Sequence, residues 1–429
     1  MSEKLKKQKS RVIDDLLNKN TTVPLLHPPD LDTLMTDLIH SIKTYVVVSD
    51  ETALAVALWS ILTWCYGEFS RCPLLLINAP EKECGKTQLL KVVGMLVYRP
   101  LETANITMAA LFRMINEYKP TLLIDEADTF MEGKTEMSGI VNKGYEQGGV
   151  VIRVETNKKG EMECCPYLVY GPKAMAGISL DRHLQNATMS RGIQVPMKRK
   201  TKTDKVERLR SADPKIFASL RSGILRFVLD HKEVLAKGWD ALPEQLGDRE
   251  QDNWEPLLAI AHCFGPEWYR KASEAAVAIC AQTAPPKSSS NQLLEDVREV
   301  LQGYDGRYIP TADLLEKLND HPDMDWCRYN RGEAITSRQL SKFFSAYGIK
   351  PKTVRMGMGM GMGMGMGMGM GKSKSATPKG YEVRQFEEAF DRYLPEKQSE
   401  PELAPEPESV PEVKATPLPR IDKPKSPDF

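Results

Sequence analysis

The run Leu-Leu-Leu-Ile at residues 74–77 is apolar at every position. A strand with one face in water alternates apolar and polar residues, so an unbroken run fits a strand covered on both faces. The segment that follows the next loop, KTQLLKVVGML, has its apolar residues at helical spacing. TMAALFRMINEY reads as another helix, with Thr107 as its N-cap. TLLI at 121–124 is a second apolar run, ending in Asp125 and Glu126, and KAMAGIS is a third strand. Strands and helices in alternation predict an α/β fold of three layers around a largely parallel sheet.

The loop between the first strand and its helix carries the first chemistry. Gly85, Lys86 and Thr87 match the end of the phosphate-binding pattern G-x-x-x-x-G-K-[ST], with Pro80 in the slot of the first glycine. Proline has a fixed φ and no N–H, and both suit the turn that leaves the strand. The donors nearest a phosphate come later, around Cys84 to Thr87. Candidate nucleotide-binding residues are therefore Pro80, Cys84, Gly85, Lys86, Thr87 and Gln88. Lys86 suits the β/γ-phosphates, and the Thr87 hydroxyl suits Mg²⁺. At the end of the second strand, Asp125 would hold Mg²⁺ through water and Glu126 would activate the attacking water. The pair of motifs points to ATP with Mg²⁺.

Residues 148–171 alternate apolar and polar around the turn signal NKKG, which predicts an inserted β-hairpin with Lys158 and Lys159 at its tip. A solvated charged turn and a finger reaching into a ring's pore are both compatible with it. Arg191 precedes a short strand at the edge of the domain, and such a residue reaches a neighbouring subunit's γ-phosphate in some oligomeric ATPases; a surface ion pair is the plainer alternative. Arg249 is a candidate for approaching the phosphates from the helical region.

The expected organisation is a flexible segment at 1–29, an ATPase core at 30–204 and a helical lid at 205–283. A winged-helix-like unit follows at 291–395: two helices, a hairpin and a last helix, with the Met-Gly repeat 356–371 inflating the wing. Residues 396–429 are rich in Pro and Glu and are expected to be disordered. Formal net charge is zero, so the chain as a whole is not a polycation that coats nucleic acid. The eight cysteines form no C-x-x-C pair and do not combine with the six histidines at zinc-finger spacing. A reduced, cytoplasmic compartment and no membrane association are expected.

Taken in order, APEKECGKT, PTLLIDEAD, GPKAMAGI, SRGI and DNWEPLLAIA resemble a domain-of-unknown-function family over about residues 30–395. That family is similar to the helicase-type P-loop ATPase half of phage, plasmid and integrative-element primases. The proline in the loop is a feature of that family. Here Ala79 replaces a frequent serine, the Met-Gly run replaces a short wing turn, and the segment before Arg191 is less regular. The resemblance implies an AAA+ or hexameric-helicase-like motor acting on DNA, single-stranded by preference. It also implies a homo-oligomer, in ring form, and a primase on a separate chain. An ATP-driven switch or protein remodeller is the alternative.

Overall fold

In the computed structural model, the structure describes residues 13, 17, 21–103, 106–131, 133–157, 159–283, 289–322, 324–353 and 379–394. The Met-Gly repeat, Lys158 and the tail at 396–429 lie outside the described residues. The chain divides into two compact units, Met1–Ala284 and Pro285–Phe429.

Unit 1 is mixed α/β around a five-stranded parallel sheet. Its strands are β1 (Leu74–Ala79), β2 (Pro100–Thr103), β3 (Thr121–Ile124), β6 (Lys173–Ile178) and β7 (Gly192–Pro196), in the order β2-β3-β6-β1-β7. The apolar run of β1 splits by the two-residue period of a strand. Leu75, Ile77 and Ala79 join one core with α1 (Leu31–Tyr45), α2 (Asp50–Cys65) and α3 (Lys86–Leu96). The same core takes in α9 (Pro214–Leu235), α10 (Asp248–Cys263) and α11 (Pro266–Thr283). Leu74 and Leu76 join a second core with α4 (Met108–Tyr118), α5 (Ala127–Met131) and α6 (Thr135–Lys143). Two covered faces explain why β1 carries no polar alternation. Helix α2 is apolar nearly all round because helices and sheet surround it; its Trp59 is fully buried and donates to the Pro73 carbonyl at 2.8 Å. Among the described residues no single helix is long and apolar enough to cross a membrane.

The predicted hairpin is present as β4 (Val150–Thr156) and β5 (Met162–Leu168), a separate two-stranded antiparallel sheet. Its inner face rests on α4: the Tyr167 and Phe112 rings are 4.6 Å apart, and Arg113 pairs with Glu155. Its outer face is apolar and exposed, with Ile152 at 62%, Val154 at 56% and Met162 at 72%. Two short helices, α7 (Leu180–His183) and α8 (Asn186–Met189), join β6 to β7.

Unit 2 has helices α12 (Ser289–Val300), α13 (Thr311–Asp320), α14 (Ser337–Ser345) and α15 (Val383–Tyr393). An antiparallel sheet of β8 (Tyr308–Pro310), β9 (Lys352–Thr353) and β10 (Lys379–Glu382) completes it, in the order β8-β10-β9. Helix α12 and strand β8 add to the expected pattern of two helices, a hairpin and a last helix. Leu293, Leu340, Phe344, Tyr381 and Phe386 form the centre of its own core.

Candidate functional site

The strand register brings the two motifs to one edge of the sheet. All five strands run in the same direction, so their carboxyl ends share that edge, where ligands of open α/β sheets collect. Strand β6 lies between β1 and β3, pairing Ala79 with Ile178 and Met175 with Ile124. At ~4.8 Å per strand spacing, β3 is roughly 10 Å from β1. The loop after β1 and the carboxylates after β3 therefore face one crevice.

The loop leads straight into α3. Gly85 sits at φ 83°, in the left-handed region that favours glycine, and turns the chain into the helix. Helices α1, α2, α4 and α9 have side-chain caps from Asp30, Ser49, Thr107 and Asp213. Helix α3 has none. Its first N–H groups and the positive end of its dipole are open to an anion. Lys86 folds back on the loop and donates to the Glu81 carbonyl at 3.3 Å. Thr87 is exposed, and Gln88 is half-buried one residue further on. Pro80 is exposed at the exit of β1, while the Cys84 side chain is buried.

At the end of β3, Asp125 is half-buried and Glu126 is exposed. Glu126 adopts φ 54°, a left-handed conformation uncommon for this residue, and its N–H donates to Asp125 Oδ1 at 3.0 Å. Such strain marks turns fixed by their surroundings and recurs at functional sites. Among the described residues no group of three or more His, Cys, Asp or Glu side chains is arranged for a metal. Thr87 and Asp125, the two protein ligands foreseen, would leave a Mg²⁺ to take its other positions from phosphate oxygens and water.

Two site residues escape sequence reading. Asn78, at the end of β1, accepts the Leu180 N–H on its Oδ1 at 2.9 Å. Ser179, just past β6, has φ 46° and donates its N–H to the Ala79 carbonyl at 2.9 Å. Together they clamp the exit of β1 to the turn after β6. The sequence signal is one polar residue after each apolar run.

A cavity of about 680 Å³ opens beside the loop, lined in part by Tyr45, Val47, Cys84, Gln88, Lys198 and Arg208. Its volume lies in the range of small-molecule sites, and its lining mixes polar and apolar residues.

Arg191 lies elsewhere. It precedes β7, whose Gly192 pairs with Leu74 at the start of β1. At ~3.3 Å per residue, the ends of β1 are roughly 17 Å apart, so Arg191 is on the edge opposite Lys86. Its guanidinium lies 5.9 Å from the centre of the Tyr145 ring, and that of Arg249 lies 5.8 Å from the same ring. Arg249 also pairs with Asp252 at 3.5 Å, and Asp252 with Arg71 at 2.6 Å. Arg249 thus belongs to this second edge and does not approach the loop of its own chain, contrary to the sequence expectation. Burial pushes the Tyr145 hydroxyl up to about 12.

Lys159 is exposed in the hairpin turn, where its N–H donates to Asn157 Oδ1 at 2.8 Å. Lys158 lies outside the described residues.

Residues 196–393 match the model of a family described as a protein of unknown function, DUF3631. The matched span begins after Lys86, Asp125, Glu126 and Arg191. An uncharacterized 28.9 kDa protein in the xis 5′ region of Saccharopolyspora erythraea is 30% identical over 153 residues, 35% of this chain and 51% of that protein. The chain therefore spans about half the length of this curated relative. Two apo structures of the C-terminal region of NrS-1, both of the A form, are similar to the chain at 12% identity and TM-scores of 0.40 and 0.41; the likeness covers 86% of this chain and 77% and 78% of theirs.

Proposed function

We propose that unit 1 is a P-loop ATPase and that the protein is an ATP-driven motor acting on DNA. One observation carries the ATPase reading. The uncapped start of α3, with Lys86 and Thr87, shares a sheet edge with Asp125 and Glu126. An uncapped helix start supplies donors for phosphate, and Lys86 supplies the charge. Bound Mg²⁺ would neutralise charge on the β- and γ-phosphates. Thr87 and Asp125 would hold it from two sides. Glu126, beyond Asp125, would take the proton of the attacking water. Pro80 costs nothing here, since the loop's useful donors come later. The nucleoside would fill the cavity beside Tyr45 and Gln88.

Arg191 would act on a neighbour, because the length of β1 separates it from its own Lys86. This makes a homo-oligomer, most simply a ring, part of the proposal. DNA as the track rests on the motif resemblance, with Lys159 and the winged-helix-like unit as contacts. A second reading, an ATP-driven protein remodeller, is favoured by the apolar outer face of the hairpin, since Ile152, Val154 and Met162 suit a protein surface better than phosphates.

The test is phosphate release from ATP and Mg²⁺ by the full chain, with and without single-stranded DNA. Turnover lost in Lys86→Ala supports the ATPase, and stimulation by DNA supports the motor. Turnover that ignores DNA favours the remodeller. Turnover unchanged in Lys86→Ala removes the reading altogether.

A further inference from the structure

Charge in unit 2 is segregated. Residues 334–381 contain no Asp or Glu, although the chain has 58 acidic residues balanced by 58 basic ones. This run includes α14 and β9. The remaining helices are acidic on their exposed sides: α12 has Glu295 and Glu299, α13 has Asp313 and Glu316, and α15 has Glu387 and Glu388.

Helix α14 is built to show one face. A capping box between Thr336 and Gln339 starts it, and Leu340 and Phe344 anchor it in the core. Helical spacing then turns Arg338, Lys342 and Ser345 outward, and all three are exposed. The preceding loop is tied to the helix by paired amides. Asn330 Nδ2 donates to Gln339 Oε1 at 2.9 Å, and Gln339 Nε2 donates to Asn330 Oδ1 at 2.6 Å. This fixes Arg331, in the left-handed region at φ 54°, beside the start of α14. Lys350 is exposed where the chain leaves the helix towards β9.

Some cations of the same unit are neutralised by neighbouring carboxylates. Arg307 and Lys352 pair with Glu382, and Arg392 pairs with Glu388. Among the described residues, Arg331, Arg338, Lys342 and Lys350 have no acidic partner within ion-pair distance. Four unneutralised cations around one helix are complementary in charge to an anionic partner of matching width.

We propose that α14, with Arg338 and Lys342 on its outer stripe and Arg331 and Lys350 on either side, is a docking face for double-stranded DNA. The major groove of B-DNA admits an α-helix, and its walls carry phosphates on both sides. Duplex RNA fits less well, because its major groove is too narrow for side chains to read. Single strands are held by aromatic stacking, and the outer stripe of α14 has no aromatic residue. A membrane-seated helix would expose large apolar residues, and α14 exposes none. The inference is independent of ATP hydrolysis in unit 1.

The test is binding of the full chain to a labelled DNA duplex of about two helical turns, without nucleotide, over a series of salt concentrations. Each lost phosphate contact lowers the salt slope by about one. Arg338→Ala with Lys342→Ala should flatten the slope by about two and weaken duplex binding about tenfold or more, with an unchanged melting temperature. Arg338→Lys with Lys342→Arg should keep the slope, which separates charge from misfolding. Arg392→Ala, on α15, should bind as the parent does. A slope unchanged by the double alanine variant overturns the proposal. So does a double alanine variant that loses binding to duplex RNA, to single-stranded DNA or to vesicles of anionic lipid as much as it loses binding to the DNA duplex.

Discussion

The Arg191 guanidinium lies over the Tyr145 ring, 5.9 Å from its centre, on the sheet edge away from Lys86. Arg249 takes another position against the same ring at 5.8 Å. Two cations are thus held at one edge while the uncapped start of α3, with Lys86, lies at the other. This polarity suits a subunit that lends a charge to its neighbour. We predict that Arg191→Ala retains ATP binding and loses about 10³-fold or more in turnover, as for an arginine supplied in trans. Mixing Arg191→Ala with Lys86→Ala subunits should restore part of the activity at shared interfaces. Mixed assemblies of confirmed stoichiometry that stay inactive would count against the trans role.

Asn78 ties β1 to the start of α7: its Oδ1 accepts from the Leu180 N–H at 2.9 Å, and its Nδ2 donates to Asp181 Oδ1 at 3.5 Å. Asn78→Ala leaves that N–H without its acceptor. A lost partner in a partly buried turn costs about 1–3 kcal/mol. The denaturation midpoint should fall accordingly, and turnover should fall with it as the turn after β6 loosens. Asn78→Asp combined with Asp181→Asn keeps the acceptor without setting a second carboxylate against Asp181, and should recover most of the stability. Equal losses in both variants would mean that the carbonyl bond is not the reason.

Lys173 gives a pH test. It is fully buried at the start of β6, donating to the carbonyls of Gly171, Val169 and Gly144 at 2.7, 3.1 and 3.2 Å. Burial lowers its pKa from 10.5 to about 8. Between those values the unfolded chain binds the proton that the folded chain has shed, so the contribution of Lys173 to stability rises with pH there. Below about 8 both states are charged, and the full cost of burying the ammonium is present. The parent should therefore gain stability relative to Lys173→Met between pH 8 and 10. The difference matters more than either curve, because the buried Cys72 thiol, pushed up to about 12, titrates in both proteins. Parallel curves would show that the ammonium is not desolvated.

Trimming the Met-Gly repeat at 356–371 to one or two units should leave melting temperature and ATP turnover nearly unchanged. Loop closure costs only about 0.6 kcal/mol per doubling of length. A large fall in melting temperature would show that the methionines pack against the folded protein.

The legible parts of the fold were those with two buried faces or a strong helical period. Strands β1, β3 and β6 announce themselves because both cores draw apolar residues from them. Strand β2 is four residues long at the sheet edge, and β8 is three, too short for any period to register. Lys86, Thr87, Asp125 and Glu126 stand out in the sequence because the first two complete a G-K-T pattern and the last two end an apolar run; their shared sheet edge follows from the strand register. Asn78 and Ser179 were not, since one polar residue ends many ordinary strands. The second edge was hidden for another reason. Arg71, Tyr145, Arg191 and Arg249 meet only after the chain has folded, and no local pattern links them. The hairpin was legible in outline; its apolar outer face was not, since only the pairing of β4 with β5 sets Ile152, Val154 and Met162 on one exposed side.

The most direct test of the account is single-turnover hydrolysis by Glu126→Gln beside direct measurement of its ATP affinity. The Gln variant keeps the size of the side chain and removes its ability to take a proton. The account predicts ATP binding within a few-fold of the parent and hydrolysis slower by about 10²-fold or more, the range for a lost general base. Hydrolysis at the parental rate, with binding intact, would contradict it.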